Sequence, residues 1–415
     1  MVKRLYYRGP AAGVMSLALV TGLVGCASTS TNSDGGALSG PDLTPTGTPI
    51  VIGADLDTTG PAASYNLQTQ AGIKLAVAQI NRAGGVLDRP LRLAEQNSES
   101  DPAKAPTAYN GMINDKAVAA IGYVTVGIPS VKSLVQDAKM LTIAAGSTSD
   151  ALVTTAPADY LYSLLPTAPS YVEAMCGAFE SVGAKKIAIF HDDAPGVVGL
   201  VASYDTLFKK SCLPEGFVGK ESAPLTAADF TAPVARIAAA KPDAILTVSV
   251  GGTFQAQSES AFAQALPKTP RFAIGAFDGQ PDSWKTAQPG ALNGLVVIHP
   301  VTSDNPRTVQ LQEDLRAFSG DTNLSVSQTH ALGYDSVKLI ALAIEKAGTV
   351  DNPDALNTAF QEIKGYQPTF GQAAFTLSFG ADKHIAADSS CGLAFAVFGK
   401  ENTLTGSWAD YQPTC

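Results

Sequence analysis

The sequence predicts an α/β protein that is built from parallel sheets and divided into two domains. Short apolar runs alternate with amphipathic helical patterns along most of the 415 residues, and this alternation is typical of parallel sheets covered by helices on both faces. The 390 residues that follow the first 25 are too many for one ordinary hydrophobic core. A (β/α)8 barrel alternates in the same way, but strand-like runs without intervening helices near the C-terminus argue against it.

The first strand and helix set the pattern. The apolar run at 50–54 predicts a buried parallel strand, and a loop follows it. In the next helical pattern, Ile73, Val77 and Ile80 share one helix face. The glycine pair at 84–85 ends this helix, because glycine readily adopts the left-handed conformation found at helix C-termini.

The later elements repeat this order. Strand-like runs lie at 91–94, 118–123, 141–145, 186–190, 244–250, 271–275 and 295–298. Helical patterns lie at 102–114, 130–139, 170–182, 198–211, 229–240, 253–265, 306–319, 330–347 and 354–362. Near the C-terminus, the runs 375–379 and 392–400 are separated by turn-forming residues, which predicts antiparallel or edge strands.

The N-terminus has a charge and hydropathy pattern of its own. Three basic residues lie within the first eight, an apolar run at 11–23 is too short to span a bilayer as a helix, and Gly25 directly precedes Cys26. The stretch 1–25 therefore resembles a bacterial lipoprotein signal peptide, with Cys26 as the lipidated first residue of the mature chain. An ordinary secretory signal with a chance cysteine is the alternative. The mature chain then begins with residues 26–48, whose Ser, Thr, Gly and Pro content predicts a flexible tether.

The composition limits the partners of the chain. The formal charge is -9, and it becomes -12 without residues 1–25, which hold three basic and no acidic residues. A chain this acidic is a poor candidate for binding nucleic acid or an anionic membrane surface, so the lipid is the only membrane contact that we expect. We expect no cofactor. A metal site is disfavoured because the sequence has no Cys-x-x-Cys spacing and its four histidines are scattered.

Four cysteines remain if Cys26 is lipidated. Outside the cytoplasm four cysteines favour disulfides, and three pairings are possible. We favour the pairs that are close in sequence, Cys176 with Cys212 and Cys391 with Cys415, and free thiols are the alternative. The second pair would fasten the last residue of the chain.

An ordered set of short motifs resembles a known family. Residues 50–105 contain a strand, a Thr-Gly-Pro loop, a helix that ends in Ile-Asn-x-Ala-Gly-Gly, and a final Asp-Pro-Ala-Lys-Ala. Further motifs lie at 119–122, 143–148, 183–189, 294–300 and 330–348. In this order they resemble the leucine/isoleucine/valine-binding protein family, which consists of type I periplasmic binding proteins that supply ABC transporters. The resemblance extends over residues 49–380.

The resemblance implies a type I periplasmic-binding-protein fold, in which two doubly wound parallel-sheet lobes are joined by a three-segment hinge and close over a ligand. The first lobe would take residues 49–166 and 300–368. The second lobe would take residues 167–299 and 369–415. Both lobes would then be discontinuous in sequence, and we expect a monomer.

Two loops of the first lobe are candidate ligand-binding loops. They follow the third and fourth predicted strands of the chain, and ligands bind beyond the carboxyl ends of parallel strands, where helix N-termini suit a carboxylate. By the resemblance, Thr148 matches a ligand-binding threonine, Gly146 a backbone carbonyl that faces an ammonium group, and Tyr65 an aromatic residue that covers the side chain of the solute. Ser147 adds a further hydroxyl. A helix cap and a surface aromatic residue are the structural alternatives.

The resemblance also implies an acid in the second lobe that pairs with the ammonium group of the solute. The family has a glutamate in the loop after the strand at 271–275, where Asp278 is the nearest candidate and Phe277 is the other occupant within one residue of register. Asp57 in the first loop is a second acidic candidate with weaker support. For Asp278, a helix cap or turn is the alternative role.

The chain departs from the family at three of these positions. Thr125 and Val126 replace paired serines, and Val126 has only a backbone N–H to offer a ligand. Pro195 replaces a tyrosine in the second lobe. These losses weaken the case for a standard aliphatic amino acid and leave another small acid, an amide or an aromatic compound open.

The sequence as a whole predicts a solute-binding protein outside the cytoplasm, in the periplasm or at the outer face of the cytoplasmic membrane. It would be anchored by lipid and deliver a small polar or amphipathic, amino-acid-like solute to an ABC permease. A sensor lipoprotein without transport is the alternative. An enzyme such as an exported hydrolase is disfavoured because the sequence has no GxSxG, HExxH or P-loop pattern.

Overall fold

Alternating strands and helices account for most of the chain. The structure is a computed structural model that describes residues 38, 41–59, 63–122, 127–275, 277, 280–387 and 389–415. The strands are β1 Ile50–Asp55, β2 Leu91–Gln96, β3 Ala119–Gly122, β4 Leu141–Ala144, β5 Leu161–Ser163, β6 Ile187–Asp192, β7 Gly219–Ala223, β8 Ala244–Ser249, β9 Arg271–Gly275, β10 Val296–Ile298, β11 Phe395–Phe398 and β12 Leu404–Ser407. The helices are α1 Ala63–Arg82, α2 Ala105–Asn114, α3 Ile128–Asp137, α4 Asp150–Thr154, α5 Ala168–Ser181, α6 Pro195–Ser211, α7 Thr231–Ala239, α8 Gly252–Ala265, α9 Pro306–Ser319, α10 Gln328–Ala347 and α11 Pro353–Gln361.

The first sheet is parallel throughout the described residues and has the strand order β2-β1-β3-β4-β5. Its strand order reverses between β1 and β3, which is the position where open α/β sheets bind ligands at their carboxyl ends. Helices α1, α10 and α11 contribute to the core on one face, and α2 and α3 contribute to the core on the other. Because both faces are covered, β3 and β4 are buried over their whole length.

Two glycines allow α1 and α10 to approach closely. A Cβ atom at Gly72 would lie 2.0 Å from the carbonyl oxygen of His330, and a Cβ atom at Gly333 would lie 2.3 Å from that of Thr69. Both distances are far inside van der Waals contact, so a larger residue at either position would force the helices apart. Helix α10 begins with a capping box. The Ser327 hydroxyl accepts from the backbone N–H of His330, and the His330 side chain accepts from the backbone N–H of Ser327.

The second sheet has the order β12-β11-β10-β9-β8-β6-β7 in the described part of the chain. Strands β6 to β10 are parallel, whereas β11 and β12 pair antiparallel at one edge. Helices α5 and α6 pack on one face, and α7 and α8 on the other. A buried ion pair between Arg271 and Glu259, with a nitrogen–oxygen distance of 2.9 Å, joins β9 to α8. The two open sheets confirm the predicted two-lobed α/β fold and exclude a single barrel.

The chain passes between the two sheets three times: after β5, after β10 and before β11. The expected lobe boundaries at 166 and 299 stay predictions, as does the third at 368. The predicted strand at 375–379 is not a strand element in the structure. Its side chains Phe375, Leu377 and Phe379 are instead buried in the core of the first lobe. The run at 392–400 contains β11, an antiparallel strand near the sheet edge, as predicted.

Two disulfides join residues that are close in sequence. Cys176 in α5 pairs with Cys212 at the end of α6, and Cys391 pairs with Cys415. These are the two pairings that the sequence analysis favours, and the second fastens the C-terminus to the strand region of β11. Among the described residues, none of the helices is long and apolar enough to cross a membrane.

Candidate functional site

The carboxyl ends of the two sheets meet at a contact between α1 and the second lobe. Tyr65, in the first turn of α1, donates from its hydroxyl to the carbonyl oxygen of Val250 over 3.4 Å. Val250 follows β8 directly. The carboxyl ends of parallel strands share one edge of a sheet, so the loops after β1 and β4 in the first lobe and after β6, β8 and β9 in the second lie at the two edges that this contact links. We call the region between these edges the cleft.

The loop after β4 is ordered by its own hydroxyl groups. Ser147 is buried, and its Oγ accepts from the backbone N–H of Ser149 over 3.2 Å. The hydroxyl of Ser163, at the end of β5, donates to the carbonyl oxygen of Ser147 over 2.9 Å. The Ser147 side chain is thus engaged in shaping the loop, and Gly146 beside it is half-buried.

The side chain of Thr148, in the same loop, is available to a ligand. It is half-buried, and its carbonyl oxygen accepts from the N–H of Ala168 at the start of α5 over 3.2 Å. Within the described residues, no hydrogen bond involves the Thr148 hydroxyl. A fixed backbone with an uncommitted hydroxyl at the end of a parallel strand is suited to contact a polar group of a ligand.

The second lobe presents a loop that is fixed by Asp192 at the end of β6. This buried carboxylate accepts from the Ser249 hydroxyl over 2.7 Å, from the Val250 N–H over 2.9 Å and from the Ala194 N–H over 2.9 Å. Three donors from two loops therefore converge on one carboxylate. Asp192 is accordingly a structural acceptor, and its hydrogen bonds fix the backbone that Tyr65 contacts.

Gln280, after β9, completes the contact between the lobes. Its Oε1 accepts from the Gly252 N–H over 3.1 Å, and its Nε2 donates to the Val250 carbonyl over 3.1 Å and to the Tyr65 hydroxyl over 3.4 Å. Neither Gln280 nor Asp192 was among the candidates predicted from the sequence. The one sequence signal for Asp192 is its position two residues after the predicted strand at 186–190.

Phe277 lies in the core of the second lobe. It is 2% exposed, its ring centroid is 5.5 Å from that of Phe398, and its carbonyl oxygen accepts from Trp284 Nε1 over 3.1 Å. Its side chain is therefore occupied with packing. Asp278, the other candidate in that loop, lies outside the described residues, as do Thr125, Val126 and Cys26.

Asp57, the second acidic candidate, belongs to a polar cluster at the carboxyl end of β1. Its carboxylate accepts from the hydroxyls of Ser98 and Ser100, and the neighbouring Asp55 also accepts from Ser98. Both aspartates are buried. In the part of the chain that the structure describes, no group of three or more His, Cys, Asp or Glu residues could hold a metal ion.

Comparison with known proteins gives a consistent result. The family described as periplasmic binding protein matches residues 49–390. Leu/Ile/Val-binding protein homolog 3 of Brucella melitensis is 23% identical, over 79% of this chain and 87% of its own. Leu/Ile/Val-binding protein BraC3 of Rhizobium johnstonii is 22% identical over the same shares of the two chains.

Solved structures show the same fold. The branched-chain amino acid transporter substrate-binding protein LivJ from Streptococcus pneumoniae, in complex with isoleucine, superposes with a TM-score of 0.72 at 19% identity and covers 88% of this chain and 100% of its own. A putative branched-chain amino acid ABC transporter from Silicibacter pomeroyi superposes with a TM-score of 0.75 at 17% identity, covering 88% and 99%. The resemblance that the sequence motifs indicate is confirmed.

Proposed function

Because the chain belongs to the periplasmic binding protein family, we propose that it captures a small amphipathic solute between its lobes outside the cytoplasm and delivers it to an ABC transporter permease. The observation that carries the proposal is the contact of Tyr65 with Val250 and Gln280. It joins the strand-end loops of two separate sheets, and a solute between such loops favours the closed arrangement to the extent that it binds that arrangement better.

The side chains around the cleft support a solute with both polar and apolar parts. The Thr148 hydroxyl is available for a polar group. Val250 and Leu225 are 45% and 37% exposed, and a Cβ atom at Gly251 would lie 2.5 Å from Leu225, so the two apolar side chains flank one short turn of the second lobe. Relatives are described as binding leucine, isoleucine and valine, and we propose an amino-acid-like solute for this chain.

The charge of the solute depends on the second lobe. Asp192 is fully engaged with backbone and hydroxyl donors, so it does not offer a lone carboxylate to an ammonium group. We propose that Asp278 pairs with the ammonium group if the solute has one. Replacing Asp278 with Asn would then weaken binding of amines far more than binding of neutral analogues, and equal losses would contradict the pairing.

We also propose that Cys26 carries a lipid and that residues 26–48 tether the body to the membrane. The proposal rests on the sequence pattern at the N-terminus. About twenty residues of such composition have a typical reach of roughly 25 Å, which lets the body turn above a permease. Substitution of Cys26 would release the protein from membranes, and membrane attachment that persists in this variant would contradict lipidation.

A thermal-shift screen of the mature protein against amino acids, amides and aromatic acids tests the proposed function. A true ligand stabilises the native state by RT ln(1 + [L]/Kd), which amounts to about 2.7 kcal/mol at a hundredfold excess over Kd. The variant Thr148→Val should lose most of this stabilisation because it removes only the hydroxyl, whereas Ser149→Ala, beside it, serves as the matched control. Stabilisation by none of the solutes, or conversion of a solute, would overturn the proposal.

A further inference from the structure

Two buried carboxylates lie at the cleft end of β1 without a counter-charge. Asp55 is 8% exposed and Asp57 is 1% exposed. Among the described residues, no lysine, arginine or histidine forms an ion pair with either of them, and Lys104 of the neighbouring β2–α2 connection pairs with the exposed Glu99. An ionised carboxylate that is buried without a counter-charge is strongly unfavourable.

A single hydroxyl group lies between the two carboxylates. Ser98 Oγ is 2.8 Å from Asp55 Oδ2 and 3.0 Å from Asp57 Oδ1, and a serine has one proton to donate. If both aspartates were ionised, one of these contacts would place two oxygen lone pairs together with no proton between them. One added proton removes the conflict, because Asp55 can then donate to Ser98 Oγ while Ser98 donates to Asp57.

The hydroxyl group of Tyr109 lies near the same strand end. Its hydroxyl is fully buried and has no hydrogen-bond partner in the described residues. It lies 2.9 Å from the position of a Cβ atom on Gly122, and Gly122 is the β3 residue paired with Asp55. The tyrosine therefore directs an unsatisfied polar group from α2 toward the strand end that carries the carboxylates.

We infer that Asp55, Ser98 and Asp57 form a proton-binding site that controls how firmly residues 56–59, which follow β1, are fixed. The loop leads to Tyr65 within three residues of the start of α1. Besides the contact with Ser98, Asp57 accepts a hydrogen bond from Ser100 Oγ over 2.8 Å. Loss of the shared proton would thus remove one of the bonds that hold this loop to the β2–α2 connection.

The surroundings of the site determine the pH range in which it titrates. Burial raises the pKa of Asp55 to about 6, the hydrogen bonds from Ser98 oppose this rise, and the charge of Asp57 adds to it. Tyr109 faces the site from α2, β3 has no titratable residue, and Glu95 of β2 pairs with Lys74 of α1. The proton is therefore lost from Asp55 as the pH rises through mildly acidic values.

Hydrogen exchange of the peptide 54–68 in the solute-free full-length protein tests the site. After correction for the chemical exchange rate, protection of the wild type should fall at least about fivefold between about pH 5 and pH 7.5. In Asp55→Asn, whose neutral amide can donate to Ser98, protection should stay high at both values. Glu99→Gln removes an exposed charge from the neighbouring connection and should behave as the wild type.

Several outcomes would overturn the inference. Wild-type protection that does not change with pH contradicts it, and so does an Asp55→Asn variant that keeps the wild-type pH dependence. If that variant does not fold, calorimetry of the wild type decides instead. The inference then requires that the protein takes up a proton near pH 6. Protection that follows added CaCl2 or EDTA and not pH would identify a cation in place of the proton.

The consequence for the solute rests on the proposed function. Because ionisation loosens the segment after β1 that leads into α1 and Tyr65, titration with L-isoleucine should give weaker affinity at about pH 7.5 than at pH 5 in the wild type and equal affinities in Asp55→Asn. Equal wild-type affinities at both values contradict the coupling. If L-isoleucine binds at neither pH, the proposed amino-acid-like solute fails, while the exchange experiment still decides the proton site.

Discussion

At the scale of single residues, Tyr65 is the side chain whose hydroxyl joins the two lobes. Tyr65→Phe keeps the ring and removes only the donation to Val250 and the contact with Gln280. The solute identified by thermal shift should bind about two- to fivefold more weakly, because a net hydrogen bond contributes about 0.5–1 kcal/mol. Isothermal titration measures the change. Tyr160→Phe is the control, since its hydroxyl contacts Asp354 outside the cleft, and equal affinities of the two variants would contradict a role for the Tyr65 hydroxyl.

Asp192 should contribute both to stability and to binding. In Asp192→Asn, the single amide oxygen can accept either from the Ala194 N–H or from the Ser249 hydroxyl and the Val250 N–H, which bind opposite oxygens of the carboxylate, so at least one buried donor loses its partner. We expect a loss of about 1–3 kcal/mol in the free energy of unfolding, measured by urea denaturation, together with weaker solute binding. Asp193→Asn tests the specificity of the effect, because Asp193 is exposed and accepts only from Leu225 among the described residues. An equal loss in the free energy of unfolding in Asp193→Asn would contradict this role of Asp192.

The sequence pointed to some residues of the candidate site and not to others, for physical reasons. Tyr65 and Thr148 lie in motifs that resemble a family, so their positions could be read locally. Gln280 matters because its amide meets loops that follow two other strands, and no local pattern reports such a contact. Phe277 could not be distinguished from its neighbour until its packing in the second core was known.

At the scale of elements, the contact between α1 and α10 depends on small residues. In Gly333→Ala the new Cβ atom would lie 2.3 Å from the backbone oxygen of Thr69, so the helices must separate, at a cost of about 2–4 kcal/mol. Gly199→Ala in α6 is a matched control, because nothing lies within 4 Å of its Cβ position. It should be neutral or stabilise by up to about 1 kcal/mol, since alanine favours helix more than glycine. Equal thermal unfolding midpoints for the two variants would contradict this picture.

Length and polarity explain which elements the sequence indicated. Strand β1 and helix α1 are long and have clear apolar patterns, and both were predicted. Strand β5 has three residues, and β7 reads Gly-Lys-Glu-Ser-Ala with alternating exposure, so neither has the apolar run of a central strand. The run at 375–379 alternates as a strand would, but its apolar residues pack in the hydrophobic core of the first lobe and do not form a strand of a sheet.

At the scale of the whole molecule, the division into lobes could be predicted only in outline. Chain length and alternation indicated two α/β units, but the return of the chain to the first lobe after β10 follows from the resemblance and not from composition. The third boundary was expected at 368. Phe370 and Phe375 nevertheless pack in the first lobe's core. Burial of their rings there is favourable even though the chain continues from them to the second lobe. The sequence does not display which core such rings join, because that depends on contacts between residues far apart in the chain.

The stability of the whole protein should depend on pH through two buried carboxyl groups of the first lobe. Burial raises the pKa of Asp55 and of Asp335 to about 6, although Asp335 accepts hydrogen bonds from Tyr366 and Thr369 that oppose the rise. The unfolded-state values are near 3.8. Between these pH values the native state binds more protons than the unfolded state, so the free energy of unfolding falls as the pH rises from about 4 to 6, by roughly 3 kcal/mol for each group.

Urea denaturation between about pH 4.5 and 7.5 measures this dependence. Asp335→Asn should remove about half of the decrease, because the neutral amide cannot ionise. Asp243→Asn is the control for a carboxyl group whose pKa is lowered and not raised. Its exposed carboxylate accepts from the backbone N–H groups of Lys185 and Lys186, which lowers its pKa, so this variant should leave the decrease between pH 4.5 and 7.5 unchanged. A wild-type free energy of unfolding that rises with pH across this interval would show that the buried carboxyl groups are ionised in the native state at little cost, and it would count against the proton site at Asp55 as well.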